Sequence, residues 1–203
     1  MEPLDDQTRH DYRARARMAR RVLDDSHRTA AAAALPAILA TLPEWSGARR
    51  VGAYSAVASE ISLGTVIDAE LARNGAVYLP HVERLAPQMR FAPWRGNHKL
   101  LLPNRFGIHE PLVDAAELLE AHELDLILLP LVAFDRRGLR LGSGAGYYDR
   151  ALSFRSGRSP PPLLIGVGFA CQEVPPIPAA PWDVPLDAIA TERELIRIIS
   201  TQG

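Results

Sequence analysis

Three glycines at alternate positions, Gly142, Gly144 and Gly146, follow Arg140 and precede Tyr147, Tyr148 and Asp149. Glycines lack Cβ atoms, so several backbone N–H groups can converge on one anion, and a helix start just after them adds positive potential. The Arg140 guanidinium suits phosphate oxygens held in a fork. Asp149 suits Mg²⁺, which takes one or two carboxylates together with phosphate oxygens and water. The spacing fits neither the Walker sequence nor the dinucleotide fingerprint. A tight turn without ligand is the alternative for the glycines, and pairing with a helix dipole is the alternative for Asp149. The coincidence of arginine, glycines and carboxylate in so short a stretch favours a phosphate chain.

A second cationic feature lies near the start, where Arg9, Arg13, Arg17 and Arg20 recur at spacings of three and four. That spacing puts them on one face of a helix over about Asp5 to Leu23, with Asp5 and Asp6 at the positive end of its dipole. Composition leaves two readings open, a solvated helix surface or an edge that binds anions.

The elements that must position these groups are those of a parallel α/β sheet. The continuous apolar run that starts at Leu126 predicts a buried strand over about Leu124 to Leu131, followed by a polar turn and a helix from Gly144 to about Phe154. Arg50–Ala56 predicts a strand, Ser62 an N-cap, Leu63–Asn74 a helix ended by Gly75, and Ala76–Pro80 a second strand, which together make a strand–helix–strand unit. A helix from Ser26 to about Thr41 is expected to bend or divide at Pro36. Met89–Trp94 predicts an edge strand, with Phe91 and Trp94 either lining a flat pocket or packing under a loop. Asn104–Pro111 reads as loop and Asp114–Ala121 as a short helix. Leu163–Phe169 and Leu186–Ala190 read as strands, and Pro175–Pro185 as irregular chain.

The 203 residues suit a single domain spanning 1–203. Apolar residues make up 47% and charged residues 23%, with a net charge of -1, so the overall balance points to neither a nucleic-acid coat nor a membrane-surface protein. One cysteine, Cys171, excludes an internal disulfide and reads as a buried, inert thiol. No apolar stretch approaches a membrane span, and no leader pattern is evident, so a cytoplasmic location is expected. His10, His27, His81, His98, His109 and His122 form no triad or metal spacing and are expected on surfaces or loops.

The segment Pro130–Asp135 with Gly138, then Arg140–Arg150, resembles the signature of the 5-formyltetrahydrofolate cyclo-ligase family. The likeness extends over nearly the whole chain, through the basic N-terminal helix, Ser59–Ile61, Tyr78–Pro80, Gly107–Pro111 and Trp182–Pro185. It implies a three-layer α/β/α fold with a mostly parallel sheet, shared with ribose-5-phosphate isomerase and CoA-transferase proteins. It also implies an ATP- and Mg²⁺-dependent closure of 5-formyltetrahydrofolate to 5,10-methenyltetrahydrofolate through a phosphorylated imine, with release of ADP and phosphate. Small-molecule substrates and a monomer, with no nucleic acid or membrane partner, are expected.

Position by position, the resemblance assigns Arg9, Arg13 and the run Arg140, Leu141, Gly142, Ser143, Gly144, Ala145, Gly146, Tyr147, Tyr148 to ATP. It assigns Ser55, Glu60 and Gly144 to Tyr148 to the folate, Asp149 and Asp183 to the metal, and Arg140 and Tyr148 to catalysis. Two departures stand out: arginine at the first basic position, where relatives often have lysine, and Ala145, where some carry lysine among the glycines. The first keeps the charge but not the ammonium geometry, and the second places more weight on Arg9, Arg13, Arg140 and the metal for the γ-phosphate. Alternatives are a non-catalytic folate- or nucleotide-binding relative and a nucleic-acid module built on the arginine helix.

Overall fold

The computed structural model describes residues 3–82, 88–97, 101–104 and 107–198. Its strands are β1 (Arg50–Gly52), β2 (Ala76–Val82), β3 (Met89–Trp94), β4 (Leu101–Pro103), β5 (His109–Pro111), β6 (Leu126–Pro130), β7 (Ala133–Phe134), β8 (Arg140–Leu141), β9 (Leu163–Val167), β10 (Ala188–Ala190) and β11 (Leu195–Arg197). Seven of them form the main sheet in the order β11-β10-β9-β6-β1-β2-β3, while β4–β5 and β7–β8 are separate hairpins. The five inner strands run parallel, and β3 and β11 close the two edges antiparallel. The expected α/β class with a mostly parallel sheet is what the chain adopts.

The apolar run sits at the centre of this sheet as β6. Its residues alternate between the two faces as the period of a strand requires. Leu126 and Leu128 enter a core with Leu35 and Leu39 of α2 (Asp25–Leu39) and Val66 of α3 (Gly64–Ala72). Ile127 and Leu129 enter a second core with Phe91, Leu152 and Leu186. Two long helices therefore cover one face. Among the described residues the other face carries α4 (Tyr147–Ala151), short 3₁₀ turns and loops.

Several boundaries move for local reasons. The cap of α2 is Asp24, which accepts the His27 N–H at 2.7 Å, so the helix starts before Ser26. Pro36 does not divide it; the carbonyl of Ala32, four residues back, would be orphaned by the missing proline N–H and is taken by the Thr65 hydroxyl at 2.6 Å. Ser62 accepts the Gly64 N–H at 3.2 Å, although Leu63 holds the N-cap place, and Asn74 rather than Gly75 turns left-handed, with φ 62. The helix expected at Asp114–Ala121 is interrupted because Leu119 pairs with Phe91 on edge strand β3, leaving 3₁₀ turns at Ala115–Glu117 and Ala121–Glu123. His109–Pro111, expected as loop, pairs with β4; Arg105 and Phe106 lie outside the described residues, as does His98. Phe91 and Trp94 are buried in the core, which is the packing alternative.

Chain direction at the middle of the sheet decides where a ligand can sit. From β1 the chain passes through α3 to β2 on one side, and from β6 it passes to β9 on the other. Neighbouring strands β1 and β6 thus mark the point where strand order reverses, and the loops leaving their C-terminal ends diverge to open a crevice. The loop after β6 first folds into the β7–β8 hairpin. At its turn the buried Asp135 carboxylate accepts the N–H groups of Arg137, Leu139 and Ile177 at 2.9, 3.1 and 2.8 Å, and the Arg137 guanidinium at 2.8 Å. Gly138 stands at φ +89, where a Cβ would lie 2.9 Å from the Leu186 carbonyl oxygen.

Asp135→Ala leaves those donors unsatisfied beneath the hairpin that carries Arg140. It is expected to cost about 3 to 5 kcal/mol of stability, read from the urea unfolding midpoint; a change below about 1 kcal/mol would contradict this role of the turn.

Candidate active site

Three chain segments converge on the crevice. Residues just past β1 bring Tyr54, Ser55 and Glu60; residues past β8 bring the glycine loop; and α1 (Pro3–Arg21) lies over both. The cavity they enclose is about 780 Å³, the size of a substantial small-molecule site. Its lining contains Arg9, Arg13, Ser55, Glu60, Arg140, every residue from Gly142 to Asp149, and Asp183. Leu141 is the exception among the expected residues. Its side chain is fully buried with Ala16, Ala133 and Ile177, and its carbonyl accepts the Val132 N–H at 2.9 Å.

The arginine row of α1 faces inward. Arg9 donates both terminal nitrogens to Asp183, at 2.7 and 2.8 Å, and reaches the Pro178 carbonyl at 2.7 Å. Arg13 donates to the Gly142 carbonyl at 3.1 Å and Arg17 to the Ser143 carbonyl at 3.3 Å. In a trans peptide the C=O and the following N–H point opposite ways, so the N–H groups of Ser143 and Gly144 are turned away from the helix. The surface-helix reading of this row is thereby overturned. Arg17 was not among the expected site residues although its spacing in the row pointed to it.

Gly144 and Gly146 stand at φ +109 and +69, which explains glycine at those two positions on conformation alone. Helix α4, for which Gly146 is the N-cap, has only five residues, so its dipole adds less than the longer expected helix would. Positive potential comes instead from side chains. Burial is the first cause holding the Arg13 pKa below its usual value, and neighbouring Arg9 and Arg17 push it the same way. Like charges crowded together in this way create a field that favours an anion.

Arg140 is buried and donates to Asp149 at 2.6 Å, while its Nε is buried and unbonded among the described residues. The Tyr148 hydroxyl is also buried without a partner, and burial, with Glu60 nearby, pushes its pKa well up, so it is a neutral donor. Such orphaned donors at a cavity are what a ligand acceptor would satisfy. Asp149 and Asp183 meet the needs of Mg²⁺ only in part. Each is now paired with an arginine, and no group of three His, Cys, Asp or Glu suited to a metal occurs among the described residues. Two carboxylates on one cavity nevertheless fit an ion whose remaining ligands are phosphate oxygens and water.

On the other flank, Glu60 accepts the Val57 N–H at 3.0 Å and Ser55 donates to the His109 carbonyl at 3.2 Å. Burial raises the Glu60 pKa from its ordinary value, opposed by the Val57 N–H and by Arg20. The lining also includes Asn104, Glu110 and Trp182, which were noted in the sequence only as parts of longer motifs. None of the described histidines lines it; His81 lies 3.3 Å from Glu110, within β2 rather than a loop. Cys171, expected to be buried, is exposed on a 3₁₀ turn.

Fold and site together define an α/β protein with a cationic, glycine-lined cleft at the C-terminal ends of its parallel strands. Residues 5–192 match the model of the 5-formyltetrahydrofolate cyclo-ligase family, and the chain belongs to that family of folate-metabolising ligases. It is 36% identical over 149 residues to the 5-formyltetrahydrofolate cyclo-ligase of Haemophilus influenzae, covering 71% of this chain and 76% of the relative. It is 33% identical over 153 residues to the enzyme of the same name from Escherichia coli, covering 74% and 82%. The NMR structure of Aquifex aeolicus 5,10-methenyltetrahydrofolate synthetase superposes with a TM-score of 0.79 at 28% identity, covering 96% of this chain and 95% of that one.

Because the folded-state pKa of Glu60 exceeds its unfolded value, its contribution to stability is present below the unfolded pKa and is lost as pH rises through the folded one. Glutamine carries no charge at either pH. Glu60→Gln is therefore expected to gain stability relative to the parent as pH rises through the carboxylate range, measured by urea unfolding on both sides of it; a constant or reversed difference would contradict the assignment.

Proposed function

We propose that this chain uses ATP and Mg²⁺ to convert 5-formyltetrahydrofolate to 5,10-methenyltetrahydrofolate. The observation that carries the reading is that one cavity holds both a cationic glycine loop and, beside it, the half-buried carboxylate of Glu60. The formyl oxygen of the folate attacks the γ-phosphorus, ADP leaves, and the formyl carbon becomes an imine carbon bearing phosphate on oxygen. Nitrogen N10 then adds to that carbon, loses its proton, and the former formyl oxygen departs with the phosphate. No nucleophilic side chain is needed, because such a transfer depends on position and charge.

The residues divide the work accordingly. Arg13, Arg140 and the N–H groups of Ser143 to Gly146 hold the phosphates, and the Arg140 Nε and Tyr148 hydroxyl donate to oxygens that gain charge as the γ-phosphoryl moves. Arg9 sets Asp183, and Asp149 with Asp183 would hold Mg²⁺, which when bound offsets the charge of the phosphates. Glu60 and Ser55 hold the pterin, whose ring N–H and amino donors match a carboxylate. A single domain, a monomer and a cytoplasmic location belong to the same reading.

Purified protein with ATP, Mg²⁺ and 5-formyltetrahydrofolate is expected to develop methenyl absorbance in the near ultraviolet, and Asp149→Asn to slow it by about a hundredfold or more with folding intact. Substrate labelled with ¹⁸O in the formyl group should deliver the label to inorganic phosphate. Turnover with unlabelled phosphate would remove the phosphorylated intermediate; folded protein with no turnover would remove the activity.

A further inference from the structure

The arginine row has a fourth member that the phosphate loop does not use. Arg20, one turn beyond Arg17, is buried and donates its Nε to the Ser59 hydroxyl at 2.9 Å and a terminal nitrogen to the Leu131 carbonyl at 3.4 Å. Leu131 directly follows β6, and Ser59 directly precedes Glu60. One guanidinium therefore ties the Glu60 loop to the end of the central strand. Arg28 of α2 supports the arrangement from behind, donating to the Ser59 carbonyl at 2.8 Å and to the Arg20 carbonyl at 2.6 Å.

We propose that Arg20 is a positioning residue of the folate subsite, which fixes the Ser59–Glu60 turn and sets a positive charge behind the Glu60 carboxylate. The proposal rests on the assignment of Glu60 to the pterin. The groups that couple electrostatically to Glu60 are Arg20 from α1, Tyr54 from the segment after β1, and Tyr148 from α4. Burial raises both tyrosine hydroxyls, so they are neutral and give Glu60 no charge to balance. Burial also raises Glu60, and Arg20 acts against that rise. A neutral Glu60 would accept the pterin donors weakly, since a charged acceptor makes roughly twice as strong a hydrogen bond.

The geometry also separates Arg20 from its neighbours in the row. Arg9, Arg13 and Arg17 contact Asp183, Gly142 and Ser143 on the nucleotide flank, whereas Arg20 contacts the folate flank. One helix thus orders both walls of the cavity through successive turns. Loss of Arg20 should show in the folate parameters and not in those for ATP.

The test compares Arg20→Met, Arg20→Lys, Ser59→Ala and Glu60→Gln in the full-length enzyme, each checked by circular dichroism and thermal unfolding. Arg20→Met is expected to raise KM for 5-formyltetrahydrofolate about tenfold, to leave KM for ATP within about twofold, and to move the acid limb of kcat/KM for the folate up by about one pH unit. Arg20→Lys keeps the charge and should keep the limb in place with a smaller rise in KM, and Ser59→Ala should do the same. The Glu60 carboxyl signal, titrated by NMR in glutamate-labelled protein without substrate, should rise in Arg20→Met. An unmoved Glu60 titration, or equal rises in both KM values, would overturn the proposal. A Glu60 titration that moves while Glu60→Gln leaves the folate KM unchanged would instead refute the assignment of Glu60 to the pterin. If Arg20→Met does not fold, Arg20→Lys and Ser59→Ala decide: unchanged folate KM in both overturns the positioning role.

Discussion

The docking of α1 onto the glycine loop is the contact on which the site depends. Arg13 and Arg17 take the carbonyls of Gly142 and Ser143, and Arg9 grips Asp183, so residues far apart in the chain are brought to one cavity. Buried cations are tolerated only where oxygen acceptors meet them. Here the acceptors are the loop carbonyls and two aspartates, and they leave the cluster cationic. The same contact fixes the loop backbone and makes the cavity attractive to an anion.

Around that contact the fold supplies rigidity. The loop hangs from β6, which is buried on both faces at the centre of the sheet, and the intervening hairpin is closed by the Asp135 carboxylate. The crevice exists because the chain leaves β1 and β6 in opposite directions. The arginine helix then closes over it and makes it cationic. The family membership fits this division, since the framework is shared with relatives whose identity to this chain is modest.

Much of this was legible in the residues. The β6 run, the β1–α3–β2 unit and edge strand β3 follow from apolar patterning, because burial on a face repeats with the period of the element. The resemblance singled out residues that nearly all line one cavity. What escaped depended on partners distant in the chain. Pro36 stays within α2 because Thr65 satisfies Ala32, and Leu119 abandons a helix because Phe91 offers a strand edge. The arginine row could not be resolved from composition, since facing solvent and facing a loop require the same spacing. Leu141 was assigned with its neighbours, yet strand alternation turns its side chain into the core.

Whether the cationic glycine loop seats a nucleotide's phosphates is decided by a structure determined with Mg²⁺ and a non-hydrolysable ATP analogue. The triphosphate is expected between Arg13 and Arg140, with oxygens within hydrogen-bond distance of the Ser143 to Gly146 N–H groups and of the Arg140 Nε. A nucleotide bound elsewhere, or a loop left without phosphate contacts at saturating analogue, would contradict it.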